Sequence, residues 1–385
     1  MRVRDWNIGV FVYFLGVFGG LASVADAASI EESILIIKSV GPEGARHSAA
    51  IAAVKELSKA SAESLPIVLK SFEGANPLAV NWLRSVVDTI ADRTLKSTGK
   101  LPAKSLEDFV KDTGRSPEAR RLAYEWLIKV DNTAADRLIP GMINDASPEF
   151  RRDAVARLIA QATKLHEERN KEAESKILRQ ALNGAIDDDQ VKAIVKPLKE
   201  LGEIVDLQKH FGFLTEWYLI GPFDNVGLKG FNIAYPPEAE RNFKAKYAGK
   251  SGEVEWKSYS TQDEYGTLDI AKKTEPFKGA VMYAATTFVA DKARDIEVRL
   301  GTPNAWKLWV NGVQIFARDE YHRGTFLDQY KVSAKLKPGP NEILLKICQN
   351  EQTEEWAQAW TFQLRVCDHS GVAVSPLTSA TTSTK

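Results

Sequence analysis

Two groups of aromatic and polar residues near the C-terminal end of the chain have the composition of a ligand-binding site. The first group lies around a predicted hairpin and the loop after it, and comprises Trp309, Phe316, Tyr321, His322 and Arg323. The second lies in the segment QNEQTEEWAQAW, where Gln352 and Trp356 are the candidates. Aromatic rings pack against the C–H faces of a pyranose, and amide, imidazole and guanidinium groups bind its hydroxyls. These residue types therefore favour recognition of a carbohydrate.

A structural role is the alternative for several of these aromatic side chains. Trp360 stands at the start of a predicted strand and would then fill the core. Trp309 and Phe316 would cover the sheet against the helical part of the chain. Trp306 lies on the apolar face of the hairpin, and we expect it in the core.

The element that must position the first group is a hairpin around Asn311-Gly312. Asn-Gly fits a two-residue type I′ turn because both central residues need positive φ. The turn predicts three facing apolar pairs on one side: Val310 with Val313, Leu308 with Ile315, and Trp306 with Ala317. Trp309 and Phe316 are then predicted to be diagonal neighbours on the other side.

The hairpin belongs to a series of short strands that predicts a β-sandwich domain over residues 213–368. Gly, Pro and Asn turns separate runs with alternating apolar residues, which is typical of a sandwich. The strand candidates are Trp217–Ile220, Val281–Val289, Asp295–Leu300, Ala305–Val310, Val313–Ala317, Ile343–Cys348 and Thr361–Val366. The residues 369–385 that follow are Ser- and Thr-rich, and we expect a disordered tail.

Three motifs of this region carry a family resemblance. LWVNG, the Lys335–Asn341 segment KLKPGPN and the strand EILLKI follow one another in this order. Together they resemble the sugar-binding β-sandwich of family 2 glycoside hydrolases and, more broadly, the galactose-binding-like jelly rolls. The resemblance implies a jelly-roll fold and an accessory module. The catalytic barrel of those enzymes has no room in this chain, so the resemblance does not extend to hydrolysis.

The preceding part of the chain, residues 28–207, is predicted to be an all-α domain. Apolar residues recur at helical spacing, and Pro42, Pro77, Pro117 and Pro148 mark predicted helix starts. These starts recur at intervals of about 30 to 40 residues, the size of a two-helix repeat. The pattern resembles degenerate HEAT or armadillo repeats, with an irregular helical bundle as the rival interpretation. Binding of a protein partner is the usual use of such repeats.

Residues 1–27 have the pattern of a secretory signal peptide. Arg2 and Arg4 precede an apolar run that ends at Ala25-Asp26-Ala27, a small-x-small cleavage pattern. An uncleaved membrane anchor is the alternative. We therefore expect an exported protein, periplasmic or extracellular, with no membrane insertion after cleavage.

Charge, cysteines and motifs limit the remaining classes. The net charge is zero, so no global field favours nucleic acid. Export would permit a disulfide between Cys348 and Cys367, but the sequence does not decide whether the two cysteines are bonded. No GxSxG, HExxH or phosphate-binding glycine loop occurs in the sequence. We expect no cofactor, with a structural calcium ion as a lesser option whose candidate ligands are Asp224, Asn225, Asp319 and Glu320.

Three hypotheses of function follow. The first is an exported, non-catalytic protein whose jelly roll binds a glycan and whose helical repeats bind a protein partner. The second is an envelope scaffold in which no sugar site is left. The third, which has the least support, is an enzyme of unrecognised type.

Overall fold

The computed structural model describes residues 29–377. The predicted signal peptide, residues 1–27, and residues 378–385 of the predicted tail lie outside the described residues. The fold is mixed α and β, with helices predominating up to Phe211 and antiparallel sheets after it. This order of classes was predicted. No helix of the described segment 29–377 is long and apolar enough to cross a bilayer.

The chain divides into two compact units. The first ends at Ala154, and the second begins at Val155. The helices of the first unit are α1 (residues 29–38), α2 (His47–Leu57), α3 (Leu65–Lys70), α4 (Pro77–Thr98), α5 (Ala103–Lys111), α6 (Pro117–Leu127) and α7 (Ala134–Leu138). Helix α8 (Pro148–Glu167) begins in the first unit and ends in the second. The second unit also contains α9 (Lys171–Gly184), α10 (Asp188–Glu200), α11 (Leu207–Phe211), α12 (Pro236–Ala239) and α13 (Ile270–Lys273).

Three of the four predicted proline starts are real helix starts. At α4 the Asn76 side chain accepts a hydrogen bond from the Ala79 N–H at 3.0 Å, which satisfies one of the free N–H groups of the first turn. Ser116 does the same for α6, and α8 begins at Pro148. The prediction at Pro42 is wrong: Glu43 has a φ of 56°, so Pro42 opens only a 3₁₀ turn, and α2 begins at His47.

The first unit has its own apolar core, which encloses one ion pair. Arg120 is 1% exposed, and its two terminal nitrogens donate to the two carboxylate oxygens of Asp145 at 2.7 and 2.8 Å. Burial would raise the pKa of Asp145, but the Arg120 guanidinium and the Ser147 N–H lower it below its usual value. The pair joins the end of the α7 region to α6.

The predicted domain boundary at residue 207 does not coincide with the division of the chain into compact units. Helix α10 packs within the sheet-containing unit, where the Tyr265 hydroxyl donates to Asp188 at 2.8 Å. Lys199 of the same helix donates to Glu264 at 2.6 Å. The change in composition at 207 marks the change of secondary structure, whereas tertiary contacts place α9 and α10 with the sheets.

The strands of the second unit form two main antiparallel sheets and a small hairpin. The large sheet has the order β4-β1-β6-β11-β8-β9, the small sheet β10-β7-β12-β5, and β2 pairs with β3. The strands are β1 (Glu216–Asp224), β2 (Lys246–Gly249), β3 (Gly252–Glu255), β4 (Lys257–Ser260), β5 (Leu268–Asp269), β6 (Ala280–Ala290), β7 (Arg294–Gly301), β8 (Ala305–Val310), β9 (Val313–Arg318), β10 (Tyr330–Leu336), β11 (Gly339–Gln349) and β12 (Thr361–Cys367). Every strand predicted from the alternating pattern is present. The short strands β2 to β5 and the longer strand β10 were not predicted.

Both faces of the large sheet are covered. The inner face packs against the small sheet, and Trp306 and Trp360 lie in this core at 0% and 1% exposure. The outer face is covered mainly by the segment between β1 and β4, which contributes Phe231, Val254 and Trp256 to a second apolar cluster. The core roles expected for Trp306 and considered for Trp360 are therefore observed.

A β-bulge changes the predicted register of the β8–β9 hairpin. Val310 faces Val313 across the Asn311-Gly312 turn, as predicted, and both turn residues have positive φ. Ile315 is then an extra residue, because Trp309 pairs with Gln314 and Leu308 with Phe316. The predicted pairs of Leu308 with Ile315 and of Trp306 with Ala317 are wrong for this reason.

The two cysteines and the first part of the predicted tail are integrated into the sheet unit. Cys348 and Cys367 are free and buried, and no disulfide joins them. Residues 369–377 differ from the predicted disordered tail, because Ala373 forms a bridge with Cys367 and the Leu377 N–H donates to the Val289 carbonyl at 2.8 Å.

Candidate functional site

Two loops at the same end of the large sheet bring residues of both predicted groups together. The loop after β9 carries Tyr321 and His322, and the loop after β11 carries Asn350, Gln352 and Trp356. The His322 and Trp356 rings meet edge to face, with centroids 4.9 Å apart and an interplanar angle of 81°. We call these five residues the His322–Trp356 site.

The backbone of each loop is held by hydrogen bonds within the sheet unit. His322 has a φ of 59°, and its N–H donates to the Pro303 carbonyl at 2.6 Å. The Asn350 carbonyl accepts from the Gly279 N–H at 2.7 Å. Gln349, which is 1% exposed, donates through Nε2 to the carbonyl of Ala359 at 3.2 Å. These contacts fix each loop to neighbouring segments of the sheet unit.

Hydrogen bonding assigns the tautomer of His322. The Gln352 N–H donates to Asn350 Oδ1 at 3.2 Å, which fixes the orientation of the Asn350 amide. Asn350 Nδ2 then donates to Gln352 Oε1 and to His322 Nε2, both at 2.7 Å. A neutral His322 that accepts at Nε2 carries its proton on Nδ1, so that Nδ1–H remains a donor.

The exposed groups of the site suit a neutral polar ligand with an apolar face. Trp356 is 63% exposed, and Gln352 is exposed beside it. Tyr321 is half-buried and its oxygen accepts from Asn225 Nδ2 at 3.1 Å. Burial raises the pKa of Tyr321 above its ordinary value, so its hydroxyl keeps its proton at neutral pH. The site thus offers an indole ring, amide groups and hydroxyl and imidazole donors.

Trp309 and Phe316 do not belong to this site, and the prediction that they are neighbours on one face is wrong. Trp309 is 5% exposed within the apolar cluster on the outer face of the large sheet. Phe316 lies on the inner face, where its ring stacks on Trp306 at 4.7 Å. The bulge at Ile315 is the cause, because one extra residue reverses the face of every side chain after it.

Arg323 and two of the four proposed calcium ligands, Asp224 and Glu320, are engaged in ion pairs. Arg323 is exposed and donates to Glu320 at 3.0 Å, and Glu320 also accepts from Arg318 at 2.8 Å. Asp224 lies 3.3 Å from the Lys250 ammonium. Within the described residues no group of three or more His, Cys, Asp or Glu side chains is arranged to hold a metal.

Sequence reasoning missed a buried polar cluster on the outer face of the large sheet. Lys346 is 0% exposed and donates to Glu238 at 2.8 Å and to the Ile233 carbonyl at 2.6 Å. The Tyr283 hydroxyl donates to the same carboxylate oxygen. Burial lowers the pKa of Lys346 despite its pairing with Glu238. The cluster fixes the covering segment to the sheet, and a lysine inside the apolar run ILLKIC was its only sequence signal.

The chain has distant likenesses among solved structures. No protein-family model matches it, and no curated protein matches it. A beta-glucosidase from Kluyveromyces marxianus is 9% identical with a TM-score of 0.25, over 73% of this chain and 35% of that chain. An alpha-xylosidase of glycoside hydrolase family 31 from Xanthomonas citri is 11% identical with a TM-score of 0.20, over 40% and 16%. A cycloisomaltooligosaccharide glucanotransferase from Paenibacillus sp. is 13% identical with a TM-score of 0.15, over 38% and 19%.

These neighbours correct the predicted function. All are carbohydrate-active enzymes, which contradicts the prediction of a non-catalytic binding protein with a protein partner on its helical repeats. The chain spans about a third or less of the length of each. TM-scores of 0.15 to 0.25 leave the activity of this chain to be argued from its own site.

Proposed function

We propose that this chain is a carbohydrate-active protein whose His322–Trp356 site contacts a saccharide. The observation that carries the proposal is the exposed indole of Trp356 set against His322 and the Asn350 and Gln352 amides. The exposed indole offers a ligand apolar area that becomes buried on binding. A pyranose fits this surface because its C–H face is apolar while its rim carries hydroxyls that both donate and accept.

The loops support the proposal because hydrogen bonds within the protein hold their backbone and the Asn350 amide. A recognition site that is already formed loses little conformational entropy when it binds. His322 is held at positive φ, and Asn350 is fixed by partners on both sides of its amide. The site is therefore suited to read the orientation of hydroxyl groups, which is what distinguishes one hexose from another.

Three finer features are part of the proposal. The two facing sheets are of the galactose-binding-like jelly-roll type, as the LWVNG and KLKPGPN motifs imply. The helices up to Ala154 are degenerate HEAT-like repeats, in keeping with the starts at Pro77, Pro117 and Pro148. The protein is exported, to the periplasm or beyond the cell, on the evidence of residues 1–27.

The test is binding and turnover of a defined panel by the purified protein. Gluco-, xylo-, manno- and galacto-oligosaccharides are titrated by calorimetry, and the release of reducing ends is followed in the same mixtures. We expect one series to bind, and Trp356→Ala to weaken its affinity about tenfold or more. An aromatic contact contributes about 0.5–1.5 kcal/mol beyond its area, and about 1.4 kcal/mol is a factor of ten.

Matched variants separate recognition from folding. Phe326→Ala is the control, since Phe326 is 60% exposed, close to the 63% of Trp356, but lies outside the site. Trp356→Phe should restore part of the affinity, and all variants should keep the melting temperature of the wild type. The proposal fails if no series binds, or if Trp356→Ala binds as the wild type does.

A further inference from the structure

A cavity of about 530 Å³ opens at the edge of the large sheet, and none of its lining residues belongs to the His322–Trp356 site. Strand β4 pairs with β1 only as far as Leu219. Beyond that point β1 bulges, and its register against β6 shifts between Ile220 and Phe223. The β2–β3 hairpin and residues 273–277, at the end of α13 and after it, supply further parts of the lining. Bulges of this kind are common beside functional sites.

Glycine is required at the bulge that shapes the cavity. Gly221 has a φ of 147°, a conformation that other residues rarely adopt. A Cβ at this position would stand 2.7 Å from the Val281 carbonyl oxygen. The backbone of β1 therefore approaches β6 closely here. The cavity lies at the other edge of β1, beyond the last residue that pairs with β4.

The charged groups of the cavity balance one another. The lining contains three lysines and three glutamates: Lys246, Lys257, Lys273, Glu253, Glu255 and Glu275. Lys246 is engaged by Glu253 at 2.9 Å and Glu255 at 3.8 Å. Within residues 29–377, Lys257, Lys273 and Glu275 form no ion pair with another side chain. Two ammonium groups and one carboxylate therefore remain to bind a ligand.

Two half-buried aromatic side chains, Tyr259 and Phe277, complete the lining beside Met282 and Leu219. They add apolar surface to a lining that also carries charged donors and acceptors. A phosphorylated or nucleic-acid ligand would meet three carboxylates, and an acyl chain would leave the charged groups without partners. An uncharged polyol satisfies both kinds of group, because each hydroxyl can donate to a carboxylate and accept from an ammonium.

We propose that this cavity is a second binding site, for a short neutral oligosaccharide segment. Its volume lies in the range of about 300–1,000 Å³ that is usual for small-molecule sites. Lys257, Lys273 and Glu275 bind hydroxyls, and Tyr259 and Phe277 contact the C–H face of a ring. The proposal rests on the lining of the cavity and does not require the His322–Trp356 site to bind.

The test uses neutral tetrasaccharides as probes: cellotetraose, xylotetraose, mannotetraose and maltotetraose, with glucose 6-phosphate as an anionic comparison. The full-length protein carrying Trp356→Ala is titrated first, so that binding at the His322–Trp356 site is weakened and the cavity dominates the titration. We expect one tetrasaccharide to bind it, and the further change of Lys273→Ala with Glu275→Gln to weaken that binding at least tenfold. Hydrogen bonds to charged groups are worth enough for such a loss.

Lys272→Ala is the matched control, because Lys272 precedes Lys273, pairs with Asp269 at 3.2 Å and does not line the cavity. It should bind as its parent does. The inference is overturned if the Trp356→Ala protein binds no tetrasaccharide, if the Lys273 and Glu275 changes leave binding intact, or if glucose 6-phosphate binds more tightly. Loss of all binding in Trp356→Ala would overturn the proposal of a second site in the cavity and would support the proposed role of the His322–Trp356 site. If Trp356→Ala binds as tightly as the wild type, and this binding is lost when Lys273 and Glu275 are also changed, the cavity site is supported and the role of the His322–Trp356 site is overturned.

Discussion

Replacement of Asn341 by alanine should unfold the sheet unit at markedly lower denaturant concentration. Asn341 closes the KLKPGPN motif and is 0% exposed. Its Nδ2 donates to the carbonyls of Lys337 and Gly339 at 2.8 and 2.9 Å. Its Oδ1 accepts from the Lys337 N–H and from Asn311 Nδ2, both at 2.9 Å. One side chain thus fixes the turn before β11 and ties it to the β8–β9 turn.

The magnitude follows from these four hydrogen bonds. Each contributes about 1 kcal/mol net, and groups left buried without a partner cost more, so Asn341→Ala should lower the free energy of unfolding by about 4 kcal/mol. With a urea slope of about 2.5 kcal/mol per M, the midpoint falls by about 1.5 M. Tryptophan fluorescence reports the transition, since Trp217, Trp306 and Trp360 are buried in this unit.

Two further variants make the reasoning refutable. Asn341→Asp keeps the oxygen that accepts two hydrogen bonds but turns a carboxylate oxygen toward the Lys337 and Gly339 carbonyls in a buried position, so it should destabilise at least as much as alanine. Asn232→Ala, at an exposed asparagine, should stay within about 0.5 kcal/mol of wild type. A loss below about 1 kcal/mol in Asn341→Ala, or wild-type stability in Asn341→Asp, would refute the assignment.

Two other predictions concern ionisable groups. Asp145→Ala should destabilise the first unit by about 3–5 kcal/mol, since it leaves Arg120 charged and buried; Asp108→Ala, at an exposed pair, should cost less than about 1 kcal/mol in the same urea titration. Burial lowers the pKa of His210, although the hydrogen bond from its Nε2–H to the Ala185 carbonyl opposes this. The unfolded chain therefore takes up the proton first, and stability is complete above about pH 6.5 and falls as the pH drops below it. His210→Gln should flatten this part of the stability curve, and an unchanged slope would contradict the assignment.

Capping residues and the alternation of apolar residues predicted many of the helices and strands, because these elements depend on neighbouring residues in the sequence. Ser116 and Asn76 each cap a helix that begins with the next residue, a proline, and the alternation of Phe362, Leu364 and Val366 gives a strand of the small sheet. Pro42 fails because Glu43 takes a left-handed conformation that ends the turn. Strands as short as β5 carry too few residues to show a period.

The candidate site was predicted in its parts but not as a whole. His322 and Trp356 were placed in separate groups because the sequence does not show which loops meet. Their contact follows from the order β11-β8-β9, which brings the loops after β9 and β11 to the same end of the sheet. The amide of Asn350 then joins them. Strand order depends on long-range pairing, and no local pattern of residues encodes it.

The bulge at Ile315 shows why a correct turn does not guarantee a correct face. Asn311-Gly312 sets the register at Val310 and Val313, and strict alternation would carry it along the whole hairpin. Phe316 can instead stack on Trp306 at the edge of the core, which half-buries an aromatic ring that alternation would place outside. The extra residue, Ile315, moves Phe316 to the inner face and leaves one position of β9 without a partner on β8. Packing between two sheets therefore decides the register here, and it removes Phe316 from the surface that the sequence assigned to ligand.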